Sequence, residues 1–269
     1  MPQLKNTIEI LKILNKSNCG DCGVKTCLAF AASVFNGQRN LNDCPHLDKK
    51  TIERFDGKTS NRKTIEEDMN EVMQKLKRKV SKTDLSSKSQ KIEGAFSNGK
   101  LTIKVFEKNF TVGQDGSLSS DIHINSWVAL PLLSYILKCE GLPASGNWTP
   151  LRELENGRSW QKLFRKQCET PLKKVADNYT DLFKDMIQIF NGKKVKNHYE
   201  SDISLVLRPL PKIPILICYW KPEDGLASDL NLFFDSTAPK NGGGIDMIYS
   251  LAVGIAKMFE KIALRHGIS

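Results

Sequence analysis

No stretch of this 269-residue chain approaches the roughly 18–20 consecutive apolar residues that a membrane span needs. The longest apolar reaches, residues 127–137 and 245–264, are interrupted by polar residues at helical spacing. The opening Met-Pro-Gln-Leu-Lys-Asn lacks a basic segment followed by an apolar one, so no export leader is expected and the protein is expected in the cytoplasm. The cysteines number seven, an odd count that argues against a full disulfide framework. The Walker lysine and the Gly-x-Gly-x-x-Gly spacing are missing, no nucleophile triad is visible, and no repeat at a solenoid period is found. These absences leave a redox or binding protein rather than a hydrolase or transferase.

What is present is globular. Hydrophobic residues make up 40% and the formal charge is +10. A basic surface can attract nucleic acid, lipid or an acidic protein and selects none of them. The pattern implies an α+β protein: a small helical domain linked to a larger mixed α+β domain. Residues 1–57 form the first part, with short helices expected over 3–15, 25–35 and 48–55. Residues 58–91 read as a charged helical arm and then a linker. Lys75 to Lys91 holds seven basic residues and one acid, without the aromatic interleaving of a nucleic-acid surface, so a solvated linker is expected there. Residues 92–269 form the larger part. Strands are expected at 100–106 and 109–112, helices at 124–138, 159–169 and 172–190, strands at 202–207, 213–220 and 229–235, and a closing helix at 245–265. Strands, helices, strands and a helix in that order indicate α+β.

The chemistry concentrates in Cys19-x2-Cys22-x4-Cys27-x16-Cys44, followed at once by Pro45. In a reducing compartment a tight cysteine cluster reads as metal-binding or catalytic. Four thiolates suit a 4Fe–4S cube, one per iron, with the close trio wrapping it and the distant fourth closing the site. Gly20 and Gly23 would let backbone N–H groups approach sulfur, while Leu28, Phe30, Ala31 and Val34 would keep water off. Four cysteines also make a closed zinc site. Structural zinc usually takes two short Cys-x2-Cys hairpins, and Cys27-x16-Cys44 is not one. The spacing therefore favours the cluster, with a zinc-stabilised binding protein as the alternative.

The Cys-x2-Cys-Gly-x3-Cys-x2-Phe-Ala pattern closed by Cys44-Pro45 resembles the small four-cysteine iron–sulfur domain of two systems. One is the large subunit of the corrinoid iron–sulfur protein, and the other is the B subunit of the Rnf complex. The resemblance implies that Cys19, Cys22, Cys27 and Cys44 ligate one 4Fe–4S cluster. It also implies electron transfer, with a redox donor such as ferredoxin and a corrinoid or corrinoid protein as acceptor, in reductive activation of cobalt. The remainder resembles a domain of unknown function, DUF3786, of anaerobes. It does so through Leu132-Leu-Ser-Tyr135-Ile-Leu137, Trp148-x2-Leu151-Arg-Glu-Leu154, Gly157-x2-Trp160-x3-Phe164, Pro209-Leu-Pro211-x2-Pro214, Tyr219-Trp220 and Phe233-Phe-Asp235. That likeness implies no settled activity. A non-enzymatic iron–sulfur module that regulates or assembles a partner is the competing reading.

Several other residues carry two readings each. Asp121-Ile-His123 partly matches the Asp-x-His pattern of a lower cobalt ligand and equally suits a polar turn capping the next helix. Trp148, Trp160 and Trp220, with Tyr219, suit a core, or a pocket wall on which a flat corrinoid could stack. Asp235-Ser-Thr237 is either a ligand-facing carboxylate or a self-bonded turn. Gly242-Gly-Gly244 before a helix is a phosphate cradle or an ordinary loop. Cys139, Cys168 and Cys218 have no metal spacing and should behave as small buried hydrophobes.

Overall fold

The computed structural model describes residues 4, 6–55, 65–121, 124–196, 198–223 and 225–266. Its contacts divide the chain into two compact units, Met1–Glu71 and Val72–Ser269.

The first unit is helical: α1 (Thr7–Ile13), α2 (Cys27–Phe35), a 3-10 turn at Leu41–Asp43, and α3 (Lys49–Phe55). Asn6 caps α1 by accepting from Glu9 N at 2.9 Å, and Thr26 caps α2 by accepting from Ala29 N at 3.1 Å. Ile10, Leu14, Phe30, Ala31, Val34 and Leu41 form one apolar cluster with Cys27 and Cys44. Leu28, expected beside them, points to solvent on the other side of α2 and is 53% exposed. So small a core benefits from the added stability of a bound metal.

The charged stretch read as arm and linker over 58–91 is helical at α4 (Ile65–Val80) and α5 (Leu85–Ser89). The division between units falls inside α4, and Val80, Leu85 and Ile92 are buried.

The second unit is α+β. An antiparallel meander comes first: β1 (Ala95–Ser97), β2 (Lys100–Val105), β3 (Lys108–Gly113) and β4 (Leu118–Ser120). Helix α6 (Ser126–Lys138) follows, then the short strand β5 (Trp148–Pro150). The expected helix over 159–169 is a 3-10 turn, then α7 (Gln161–Phe164), then a π-helical segment Arg165–Glu169. The expected helix over 172–190 is two, α8 (Thr170–Asn178) and α9 (Thr180–Ile189). They break at Tyr179, where the Thr180 hydroxyl donates to the Ala176 carbonyl at 2.6 Å and competes with the helical ladder. Then come β6 (Lys193–Lys194), β7 (Ile203–Leu210), β8 (Ile213–Trp220), β9 (Asp229–Asp235), α10 (Ala238–Gly242) and α11 (Ile245–His266).

The second sheet is antiparallel in the order β5-β9-β8-β7-β6. β8 is almost wholly buried, which explains its near-continuous apolar run. Helix α11 presents Ile248, Leu251, Ala252, Ile255, Ala256, Phe259 and Ala263 inward at helical spacing. It crosses α6 closely at Gly254, where an added Cβ would lie 3.0 Å from Trp127 Cβ and 3.1 Å from Trp127 O. Among the described residues, no helix is long and apolar enough to cross a membrane.

Candidate metal centre

The cysteine loop runs between α1 and α2. Four of its residues adopt left-handed backbone: Lys16 (φ 60), Asn18 (φ 52), Gly20 (φ 80) and Gly23 (φ 75). Glycine takes this conformation freely, and asparagine tolerates it. The loop is pinned from three sides. Asn18 Oδ1 accepts from Cys27 N at 2.8 Å. The Arg39 guanidinium donates to the Cys22 carbonyl. His46 Nε2 lies 2.6 Å from Asp21 Oδ2.

The four thiols differ in setting. Cys27 is the first residue of α2, its N–H tied to the Asn18 side chain. Cys44 caps the 3-10 turn Leu41–Asp43, its N–H donating to Leu41 O at 3.2 Å. Both are buried in the apolar cluster, and Cys22 packs against it half-buried. Cys19 is exposed, with its sulfur within 4.8 Å of the Asp21 carboxylate and the His46 ring. Hydrogen bonds from His46 first, and then Cys19, hold the Asp21 carboxyl below the usual carboxylate range. All four cysteines are free. Four soft donors, two of them buried in the apolar cluster, on a loop that turns repeatedly through left-handed residues, at the start of α2 and at the end of the 3-10 turn, fit a four-thiolate iron–sulfur group. Asn18, Asp21, Arg39 and His46 escaped the sequence reading. The one local signal was position: Asp21 between the first two cysteines, His46 just past Cys44-Pro45.

The other expected site residues scatter. His123 lies outside the described residues. Trp148 and Trp220 meet at one turn: Tyr199 donates its hydroxyl to Trp148 O at 3.1 Å, and Trp220 Nε1 donates to Tyr199 O at 3.2 Å. Trp160 sits elsewhere, against Tyr249 at 4.8 Å between ring centroids. Tyr219 is buried and packs on Phe183 at 6.3 Å. Asp235 is buried and tied up: it accepts from Gly146 N at 2.7 Å, Thr237 N at 3.0 Å, and the Ser145 and Thr237 hydroxyls. Burial works to raise its pKa, but these bonds outweigh it and hold the carboxyl low. It is a self-bonded turn that clasps the 145–146 loop. Cys139, Cys168 and Cys218 are buried singly, and burial pushes their thiols up.

Comparison with known proteins separates the two parts. A family model described as "Putative Fe-S cluster" matches residues 14–46. The corrinoid/iron-sulfur protein large subunit of Moorella thermoacetica is 45% identical over 49 residues, 18% of this chain and 11% of that one. The acetyl-CoA decarbonylase/synthase complex subunit gamma of Methanopyrus kandleri is 41% identical over 55 residues, 20% of this chain and 12% of that one. Its counterpart in Methanocaldococcus jannaschii is 33% identical over 54 residues, 20% and 11% of the respective chains. The match therefore spans only about a tenth of the length of these relatives. No solved structure matches the chain. The cysteine loop thus lies in an iron–sulfur domain. Residues 84–258, well over half of the chain, match the model described as "Domain of unknown function (DUF3786)", and it is to that family that the chain belongs.

Proposed function

We infer that the chain is an iron–sulfur electron carrier in which Cys19, Cys22, Cys27 and Cys44 hold one 4Fe–4S cluster. The observation that carries this reading is the uneven burial of four thiols, Cys19 and Cys22 on the strongly turned loop, Cys27 at the start of α2 and Cys44 after the 3-10 turn, all within the residues that match an iron–sulfur domain. A 4Fe–4S cluster supplies reversible one-electron chemistry. The chain's own residues do the rest. Cys27 and Cys44 anchor it against Phe30, Ala31 and Val34, which exclude water. Gly20 and Gly23 take left-handed backbone and turn the chain tightly, the Gly23 N–H donating to Gly20 O at 2.7 Å, and hydrogen bonds to sulfur together with burial set the potential. Cys19, exposed, gives the side on which a partner approaches and electrons cross.

The acceptor we favour is a corrinoid-bearing protein, because the relatives matched by the iron–sulfur domain include a corrinoid/iron-sulfur protein. A separate protein suits this chain better than a corrinoid held within it. The cavity lined by Trp148, Arg208 and Asp235 in the second unit holds about 350 Å³, at the small end for drug-sized ligands, and a corrinoid is larger than those. Anaerobically purified protein should be brown, with about four iron and four sulfide per chain. It should reduce a Co(II) corrinoid protein when supplied with reduced ferredoxin. Stoichiometric zinc without visible absorbance would overturn the cluster. An intact cluster that passes no electron to any corrinoid protein would overturn the acceptor alone and favour the regulatory or assembly module.

A further inference from the structure

The five-stranded sheet covers one face with helices: Phe183 packs on Tyr219, and Phe164 on Phe234 at 5.9 Å. Cross-strand partners share a face. Trp148 pairs with Asp235, and Phe233 pairs with Pro150 and Leu216. Leu216 in turn pairs with Val206, and Val206 with Lys193. These residues therefore lie on the opposite face. Tyr199 covers part of it, stacked on Phe233 at 4.5 Å and 16°. Beside that turn lies the cavity of about 350 Å³.

Trp148, Val206 and Pro214 give the cavity an apolar lining, and Arg208, Lys193 and Glu107 give it charge. The two carboxylates in the lining are already engaged. Asp235 is saturated by the 145–146 loop and Thr237, and Glu107 sits 4.0 Å from Lys104. Arg208 and Lys193 are exposed, and neither has an ion-pair partner among the described residues. Two cations beside an indole are thus left available to an anion.

The backbone points to the same place. Two lining residues, Glu107 (φ 62) and Asn191 (φ 54), are left-handed. Glu107 and Phe106 (φ 48) form the two-residue turn between β2 and β3, where Asn-Gly is the usual choice. The disfavoured turn is held by Phe106, which is buried, packs on Phe190 at 5.3 Å and donates its N–H to Pro209 O at 3.3 Å, next to Arg208. Strain held in place by surrounding packing concentrates at functional sites.

We propose that this cavity binds a small organic anion, a carboxylate or a phosphate ester on an apolar or aromatic body of on the order of 15 non-hydrogen atoms. Arg208 and Lys193 receive the anionic group, and Trp148 receives the body. The site lies wholly in the second unit. The test is isothermal titration of the full-length, anaerobically purified protein with phenyl phosphate, phenylacetate and neutral benzyl alcohol. One of the two anions should bind at a single site, and which one names the anionic group. Arg208→Ala and Lys193→Ala should each weaken it at least about tenfold, while Lys261→Ala on α11 should leave it unchanged. Arg208→Lys, which keeps the charge, should recover part of the loss, and melting temperatures should show all variants folded. No saturable binding of either anion below about 1 mM overturns the proposal. So does equal affinity for benzyl alcohol, or affinity unaltered by both Arg208→Ala and Lys193→Ala.

Discussion

His46 Nε2 lies 2.6 Å from Asp21 Oδ2, and this contact closes the cysteine loop on itself. Asp21 stands between the first two cysteines and His46 two residues after the fourth, so the pair ties both ends of the motif together. Partners of metal ligands that orient them affect retention more than folding. His46→Ala is expected to speed loss of visible absorbance to an iron chelator by about tenfold, with the far-ultraviolet circular dichroism unchanged. An unaltered loss rate would show that the pair is only a surface contact.

The cysteines themselves should divide into two classes. Cys44→Ala removes a buried donor and should abolish or convert the cluster, read as iron content and electron paramagnetic resonance of the reduced protein. Cys139→Ala removes a thiol buried in the other unit near Asn241, and iron content should stay at the wild-type value.

Glu169 gives a pH prediction. It is 5% exposed at the end of the π-helical segment, and one oxygen accepts from Leu232 N at 3.3 Å. The other has no hydrogen-bond partner among the described residues. Burial pushes its pKa up to about 7, with the Leu232 bond and Arg165 only partly opposing. Because the folded value lies above the unfolded one, the folded state binds the extra proton between about pH 4.5 and 7, and stability falls as pH rises through that window. The loss should reach roughly 3 kcal/mol. Glu169→Gln should melt close to wild type near pH 5 and well above it near pH 8. Parallel curves for the two proteins across that range would refute the assignment.

The Phe106–Glu107 turn predicts a stabilising substitution. A non-glycine residue in left-handed conformation costs about 1 kcal/mol, so Glu107→Gly should raise the melting temperature by roughly 2–4 °C. The ion pair lost with it spans 4.0 Å between exposed groups and contributes little. A lower melting temperature would mean that Glu107 makes a contact worth more than its strain.

The division between Glu71 and Val72 predicts independence. Residues 72–269 expressed alone should melt cooperatively and retain near-ultraviolet dichroism from Tyr135, Tyr219 and Phe259, all buried within that unit. Limited proteolysis of the full chain should yield a fragment that keeps Val80, Leu85 and Ile92, because these are buried. A stable fragment starting beyond Ile92 would count against this boundary.

The elements with strong periodicity were readable without the structure. The strands at Ile213–Trp220 and Asp229–Asp235 and the helix starting at Ile245 fall where the pattern places them, because alternation and helical spacing are local. The weak elements were not readable. β5 and β6 are three and two residues long and exist only through pairing with β9 and β7. The π-helical segment and the break at Tyr179 depend on single side chains reaching back to the backbone or across to β9.

The cysteine motif was legible in the sequence because its four residues lie within 26 positions of one another. The cysteine spacing and the glycines between them carry that information locally. Which tryptophans would meet was not written there. Trp148 and Trp220 come together through Tyr199 while Trp160 goes to Tyr249. Likewise, Arg208, Lys193 and Glu107 share one cavity only after the sheet has formed. Local patterns determine which way each residue alternates on its own strand. Only long-range pairing fixes register and therefore which face, and which neighbours, each side chain finds.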